Sequence, residues 1–215
     1  TIEEPNDRPV ITPDDGNEPE KPDVTETKTG TLAFEDIWPG GGDYDMNDVI
    51  VEYNRAVSFD KKNQVTKIVD TFTPVHDGAV FANAFAYQVD KGQFGKMTFS
   101  ATTEGIHTES ATSSIIVCPN VKQAIQKVYT ITREFTGGSF NKKDLKSYNP
   151  YIIVKYAEGQ KGRTEVHLPK HEATSLADLS LAGTQKDAYY IDKEGAYPFA
   201  IDIPILNFIS VTEKK

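Results

Sequence analysis

Acidic and amide side chains are concentrated in one short stretch of this 215-residue sequence. Residues 34–53 read FEDIWPGGGDYDMNDVIVEY, and the oxygen-bearing candidates for a metal site in this stretch are Glu35, Asp36, Asp43, Asp45, Asn47 and Asp48. Tyr44 and Met46 alternate with Asp43, Asp45 and Asn47, so a tight loop can turn these three toward one point. Calcium binds about six to eight oxygens at roughly 2.3–2.6 Å. The spacing therefore predicts a Ca²⁺ site, and no pair of soft Cys or His ligands accompanies it.

The spacing Asp-x-Asp-x-Asn matches the first three ligands of an EF-hand loop, but the match ends there. The sixth position of that loop is Gly and the twelfth is a bidentate Glu, whereas this sequence has Asp48 and Asn54. The residues that follow alternate with a period of two, which predicts a strand and not a helix. Further ligands must come from elsewhere, and Glu35 and Asp36, brought back by the turn at 39–42, are the nearest.

An alternative interpretation needs no metal. Asp and Asn also form turns in which their side chains accept hydrogen bonds from nearby backbone amides. Against this, neighbouring carboxylates repel one another unless a cation or a base lies between them. No Lys or Arg occurs between Lys28 and Arg55. Both interpretations remain open at this stage, and the cation is favoured.

The sequence around this loop has the alternation of half-buried strands. Residues 49–59 alternate apolar and polar side chains, and the turn at 60–63 leads into a second alternating run, which predicts a β-hairpin. About ten such runs, separated by Gly, Asn, Pro or charged turns, favour two packed antiparallel sheets. We predict an all-β, jelly-roll-like antiparallel sandwich with one or two short helices. PNVKQAIQ is expected to form one or two helical turns, and TSLADLSLAG either a capped short helix or a compact loop.

Asn83 is the polar exception in the run AVFANAFAYQV. In a strand it shares a face with Phe81, Phe85 and Tyr87, while small Ala side chains occupy the other face. A buried amide needs hydrogen-bond partners. Asn83 is therefore either bonded to backbone groups, or it serves the metal site as a ligand or as support for a ligand.

Composition sets the domain organisation and excludes several partners. Residues 1–29 are rich in Pro, Glu, Asp and Thr, which predicts a disordered tether, and residues 30–215 form a single domain. The net charge of −9 disfavours nucleic acid and anionic membranes. No apolar run approaches the roughly 18 residues of a membrane span. The single cysteine, Cys118, excludes an internal disulfide.

Catalytic motifs are absent from the sequence, so we do not expect an enzyme. It contains no G-x-S-x-G, no P-loop and no G-x-G-x-x-G after a strand. Pro169 separates His167 from His171, which rules out zinc ligands spaced on a helix. Aromatic residues near the acidic loop and the predicted turns are candidates for binding sugars or protein partners, although for any one ring a place in the core is the more common role. They are Trp38, Tyr148, Tyr151, Tyr189, Tyr190 and Tyr197.

The run FEDIWPGGGDYDMNDVIVEYN resembles the opening motif of the LruC-like domain, F-E-D-x-W-P-x-x-G-D-x-D-x-N-D. This is a family of uncharacterised domains in bacterial cell-surface lipoproteins. The resemblance continues through FANAFAYQV, where Ala84 replaces a family Gly, and through EVHLP, TSLADLSLAGT and YYIDKEGAYPFAIDIP. It covers most of residues 31–210.

The resemblance implies an exported protein, anchored by lipid at the cell surface or outer membrane through an acylated Cys upstream of Thr1. It implies no reaction. We therefore expect a non-enzymatic, calcium-stabilised surface module for adhesion or glycan binding, with a glycan or a surface protein as its ligand. The alternatives are a purely structural component of a surface assembly and a carbohydrate-active hydrolase.

Overall fold

The computed structural model describes residues 24–136, 139–146, 148–159, 162–184, 187, 189–194 and 196–210. The elements in this part of the chain are β1 (Val24–Phe34), β2 (Val49–Phe59), β3 (Gln64–His76), β4 (Ala84–Gln88), α1 (Lys91–Phe94), β5 (Thr98–Ala101), β6 (His107–Glu109), β7 (Ser114–Cys118), β8 (Tyr129–Glu134), β9 (Phe140–Asn141), β10 (Asn149–Ile153), β11 (Glu165–His167) and β12 (Ala200–Ile203). Single 3₁₀ turns occur at Val121–Gln123, Lys142–Asp144 and Tyr156–Glu158. None of the described helices is long and apolar enough to cross a membrane.

The strands form two antiparallel sheets. The first has the order β12-β1-β2-β3-β8-β5, with β9 also pairing with β3, and the second has the order β11-β10-β4-β7-β6. Apolar side chains of both sheets meet in one shared core, where the Phe72 and Phe85 rings lie 5.1 Å apart. The predicted all-β antiparallel sandwich is confirmed.

The alternation in β4 positions its side chains as the sequence predicted. Phe85 and Tyr87 point into the core between the sheets, while Ala84 and Ala86 pack on the other face of the second sheet. The small alanines leave room there for the Tyr151 ring, which is fully buried. The strand is shorter than the predicted run, since pairing covers only Ala84–Gln88.

The predicted boundary of the tether at residue 29 is wrong. β1 begins at Val24, and its residues pair in register with β2 from Val24 opposite Phe59 to Phe34 opposite Val49. The side chains of residues 24–28 are exposed, so this part of the strand is held by backbone hydrogen bonds and gives no apolar signal. The rest of the expected tether, residues 1–23, lies outside the described residues.

One other segment departs from the expected pattern of strands. The apolar run AYYID reads in sequence as one of the short strands, but among its described residues the structure has only the isolated bridges Asp187–Asp192 and Ile191–Pro198. Tyr189 has φ 58° and Tyr190 has φ 68°, and this left-handed conformation interrupts extended pairing.

PNVKQAIQ forms one 3₁₀ turn, at Val121–Gln123, within the one or two helical turns predicted for it. TSLADLSLAG forms a compact loop of turns, which was the alternative to a short helix. The α-helix among the described residues, at Lys91–Phe94, was not predicted.

An ion cluster lies inside the first sheet. Asp70 on β3 accepts hydrogen bonds from Arg55 Nε at 2.6 Å, from Arg133 Nη2 at 3.0 Å and from Tyr87 Oη at 3.1 Å. Asp70 and Arg133 are each only 1% exposed. Burial alone raises the pKa of Asp70, but the two guanidinium groups outweigh it and hold the pKa below its usual range. The Arg55 side chain also lies 3.6 Å from the Tyr148 ring centroid.

Replacing Asp70 with Asn is expected to destabilise the fold by about 3–5 kcal/mol, because two buried arginines then lose their counter-charge. Urea unfolding at pH 7 measures the change. The matched control is Asp144→Asn, since Asp144 is exposed and its substitution is expected to change the unfolding free energy by less than about 0.5 kcal/mol. Equal midpoints for Asp70→Asn and the wild type would show that the cluster does not stabilise the fold.

Candidate cation site and adjoining cavity

The loop between β1 and β2 winds so that alternate residues face the same side. Tyr44 and Met46 have φ values of 55° and 57°, in the left-handed region that bulky residues rarely occupy. Each such residue costs of order 1–3 kcal/mol and persists only where its surroundings hold it. This conformation directs Asp43 and Asp45 toward the end of β1, where Glu35 follows the last strand residue.

Three of the predicted metal ligands converge. In the part of the chain that the structure describes, ligand oxygens of Glu35, Asp43 and Asp45 lie within 4.8 Å of one another. Glu35 is 1% exposed, Asp45 is half-buried and Asp43 is exposed. The backbone N–H of Met46 donates to Glu35 Oε1 at 2.5 Å. We call Glu35, Asp43 and Asp45 the carboxylate triad.

The charge state of Glu35 reflects this crowding. The pKa of Glu35 is raised to about 8. Burial is the largest cause, the negative charges of Asp48, Asp43 and Asp45 add to it, and the Met46 hydrogen bond opposes it. The carboxyl therefore keeps its proton at neutral pH unless a positive charge compensates. A cation bound by the triad would supply that charge.

Asn47 lies beside the triad. Its side-chain amide donates to Asp45 Oδ2, which fixes the orientation of that carboxylate. The backbone carbonyl of Asn47 accepts from Gly78 N–H at 3.0 Å. A Cβ at position 78 would lie only 2.6 Å from Asn47 Oδ1, so the chain after β3 passes directly against the loop.

The remaining predicted residues are hydrogen-bonded to one another beside the triad, and Asp48 is close enough for its charge to act on Glu35. Asp48 Oδ2 accepts from the backbone N–H of Asp36 at 2.8 Å, and Asp36 Oδ2 accepts from Asn83 Nδ2 at 2.7 Å. Burial raises the pKa of both carboxyls. Asn83 also accepts from the backbone N–H of Lys155 at 3.1 Å, so its amide is bonded to backbone on one side and to the loop on the other. The hydrogen bonds of Asp36, Asp48 and Asn83 thus stabilise the conformation of the loop.

A base that sequence reasoning missed lies next to these hydrogen-bonded residues. Lys122 Nζ is 3.3 Å from Asp77 Oδ1 and also bonds the carbonyl of Ala79. Its charge counteracts part of the rise in the pKa of Asp36. Lys122 is distant in sequence and reaches the loop through the turn after β7, so no local pattern identifies it.

The loop also contacts the segment before β12. Tyr44 Oη donates to Asp192 Oδ2 at 2.5 Å, and the Tyr44 ring stacks 5.5 Å from the Tyr197 ring. The backbone N–H of Glu35 donates to the carbonyl of Phe199 at 2.9 Å. Sequence reasoning noted Tyr197 but missed Asp192, because nothing local links two positions so far apart.

A cavity of about 460 Å³ opens beside Trp38. It is lined by Trp38, Lys170, His171, Glu172, Ala173, Leu179, Ala182, Tyr189 and Tyr190. The rings of Trp38 and Tyr190 lie 5.1 Å apart, and each residue is 4% exposed, whereas Tyr189 is 69% exposed. The acidic loop therefore supplies one wall of this cavity as well as the triad.

The pKa of Glu35 predicts how the stability of the metal-free protein depends on pH. Between pH 6.5 and 8 the unfolded chain has released the Glu35 proton, whereas the folded state retains it. The folded state binds more protons, so stability falls as pH rises. We expect a loss of about 1–2 kcal/mol over this range, measured by urea unfolding in EDTA.

Glu35→Gln should remove this part of the pH dependence, since the amide keeps an oxygen for Met46 N–H but does not titrate. Glu104→Gln, at an exposed position, is the matched control and should keep the wild-type slope. The same slope in wild type and Glu35→Gln would refute the raised pKa.

A comparison with curated proteins finds no match, and neither does a comparison with solved structures. A family model described as "Domain of unknown function (DUF4842)" matches residues 63–214. The match begins after the acidic loop, so it includes every residue of the cavity wall except Trp38 and none of the triad. Because the match covers well over half of the sequence, the chain belongs to the DUF4842 family.

Proposed function

We propose that this protein is a non-enzymatic, calcium-stabilised surface module that binds a glycan or a surface protein. The observation that carries the proposal is the convergence of Glu35, Asp43 and Asp45 at the end of β1. Asp45 is oriented by Asn47, and the loop is held by strained backbone at Tyr44 and Met46.

The chemistry of the triad favours a hard cation, because the ligand oxygens of Glu35, Asp43 and Asp45 converge within 4.8 Å of one another. Calcium is the better candidate, because it accepts several protein carboxylates in a flexible shell of about six to eight oxygens. Mg²⁺ usually keeps several waters and binds only one or two carboxylates. Water and backbone carbonyls would complete the calcium shell.

The raised pKa of Glu35 also fits a different class of protein. A carboxyl that keeps its proton beside ionised carboxylates is the pattern of a glycosidase acid, so a hydrolase is the second candidate. However, Glu35 is 1% exposed and its Oε1 is occupied by Met46 N–H. A general acid must reach the glycosidic oxygen of a substrate. The burial of Glu35 therefore supports a structural cation instead.

The cellular location is also part of the proposal. The similarity of residues 34–54 to the LruC-like motif supports an exported protein held at the cell surface or outer membrane by a lipid anchor. Calcium is abundant outside cells, where modules with millimolar to submillimolar affinity are occupied. On this proposal the ion stabilises the loop that carries Trp38 and so shapes one end of the sandwich.

Calcium is expected to raise the thermal midpoint of the purified protein relative to EDTA. At free calcium about 100-fold above Kd the stabilisation is about 2.7 kcal/mol, which corresponds to a shift of about 5–10 °C for a domain of this size. Asp45→Asn should reduce the shift, because it replaces a charged ligand with a neutral one.

Two controls make the result specific. Magnesium at the same concentration should give a smaller shift, and Glu104→Gln, which removes an exposed charge, should keep the full calcium shift. No calcium shift in the wild type would reject the metal site and leave a purely structural component of a surface assembly. A full shift in Asp45→Asn would remove that residue from the ligand set.

A further inference from the structure

We infer that the cavity walled by Trp38, Tyr189 and Tyr190 is a binding site for a neutral saccharide. This inference rests on the proposed function and deepens it, since it names the place and the chemical class of the ligand. Four observations carry it: unpaired polar atoms in the wall, an exposed aromatic face, strained backbone, and balanced charge.

Two polar atoms in the wall residues lack partners. Trp38 Nε1 and Tyr190 Oη are buried, and neither has a hydrogen-bond partner among the described residues. Buried polar groups are almost always hydrogen-bonded, because losing water without a replacement is unfavourable. An indole N–H only donates, whereas a phenol donates and accepts. Sugar hydroxyls, which do both, match this pair of groups.

Tyr189 supplies a second element of sugar recognition. Its side chain is 69% exposed and lines the cavity, so a large aromatic surface faces solvent beside the buried Trp38 and Tyr190 rings. Burial of such a surface is favourable, and Tyr combines an apolar ring with a polar tip. The C–H face of a pyranose ring can pack on Tyr189. A small rotation of the wall rings, which cover the unpaired atoms in this structure, would bring its hydroxyl edge within reach of them.

The backbone of the wall is strained at several places. Lys170, Tyr189 and Tyr190 have φ values of 69°, 58° and 68°, in the left-handed region. Such conformations cluster at ligand sites, where the surrounding structure maintains them. Both tyrosines line the cavity, whereas the side chains of consecutive residues in an extended strand point to opposite faces.

The charges of the wall favour a neutral ligand. Lys170 and Glu172 both line the cavity and have opposite signs, so neither an anion nor a cation is selected. The cavity volume of about 460 Å³ lies within the range of about 300–1,000 Å³ that is typical of small-molecule sites. An apolar ligand would leave the polar atoms of Trp38 and Tyr190 unpaired, which disfavours a lipid.

The experiment uses the intrinsic fluorescence of Trp38, which is the only tryptophan in the sequence. The protein, in millimolar calcium, is titrated with the methyl glycosides of glucose, galactose, mannose and N-acetylglucosamine, and with cellobiose, maltose and lactose. We expect at least one of these sugars to give a saturable change in Trp38 emission, with the affinity confirmed by calorimetry.

Tyr190→Phe is the decisive variant. It removes only the unpaired hydroxyl, so the thermal midpoint should stay the same or rise, while the affinity for the bound sugar should fall at least about tenfold. Tyr148→Phe is the matched control, since its buried hydroxyl also lacks a partner but lies outside the cavity wall. It should bind with wild-type affinity. Tyr189→Ala should weaken binding by a similar factor without loss of fold.

Two results would overturn the inference: no saturable signal with any sugar of the panel, or undiminished affinity in Tyr190→Phe, as expected if cavity water satisfies its hydroxyl. Thermal shifts with calcium are recorded on the same samples. A calcium shift without sugar binding rejects the saccharide site and leaves the cation site standing. Sugar binding without a calcium shift rejects the cation site and leaves the saccharide site standing.

Discussion

The burial of one carboxyl group, that of Glu35, is the constraint on which the functional end of the molecule depends. Glu35 directly follows Phe34, a fully buried residue of the sandwich core, so the strand fixes where this acid lies. The loop supplies the hydrogen bond and the space that a buried carboxyl needs. Met46 N–H donates to it, and Gly42 lacks the Cβ that would lie 3.2 Å from Glu35 Oε2. The burial of Glu35 at the end of β1 therefore determines both where its carboxyl lies and why its pKa is raised.

The same loop joins two candidate sites. Glu35 begins it, Trp38 lines the cavity, and Tyr44 bonds Asp192 on the segment that also carries Tyr190. On the two proposals above, an ion that stabilises one conformation of this loop would act on the cavity wall, and a ligand in the cavity would act on the ion. Such coupling is reciprocal, so each ligand would change the affinity for the other by the same factor.

Local patterns in the sequence predicted the features that depend on neighbouring residues. The alternation of apolar residues gave the β2–β3 hairpin and the faces of β4, and the spacing of Asp43 and Asp45 gave their convergence with Glu35. What the sequence did not indicate depends on three-dimensional contacts. Asp48 accepts a hydrogen bond from the backbone of Asp36, and Asp36 accepts one from Asn83, and neither contact follows from a local pattern. The start of β1 was missed because backbone pairing, and not burial of side chains, holds its first residues.

Gly78 has a consequence for how this loop can change over evolution. It donates to the Asn47 carbonyl, and the neighbouring Ala79 donates to that of Asp48, so backbone contacts hold the end of the loop in place. Any side chain at position 78 would collide with Asn47. Substitutions at positions 43 and 45, whose backbone makes none of these contacts, leave this anchor in place. A side chain at position 78 does not, so glycine is required there wherever a relative keeps the contact.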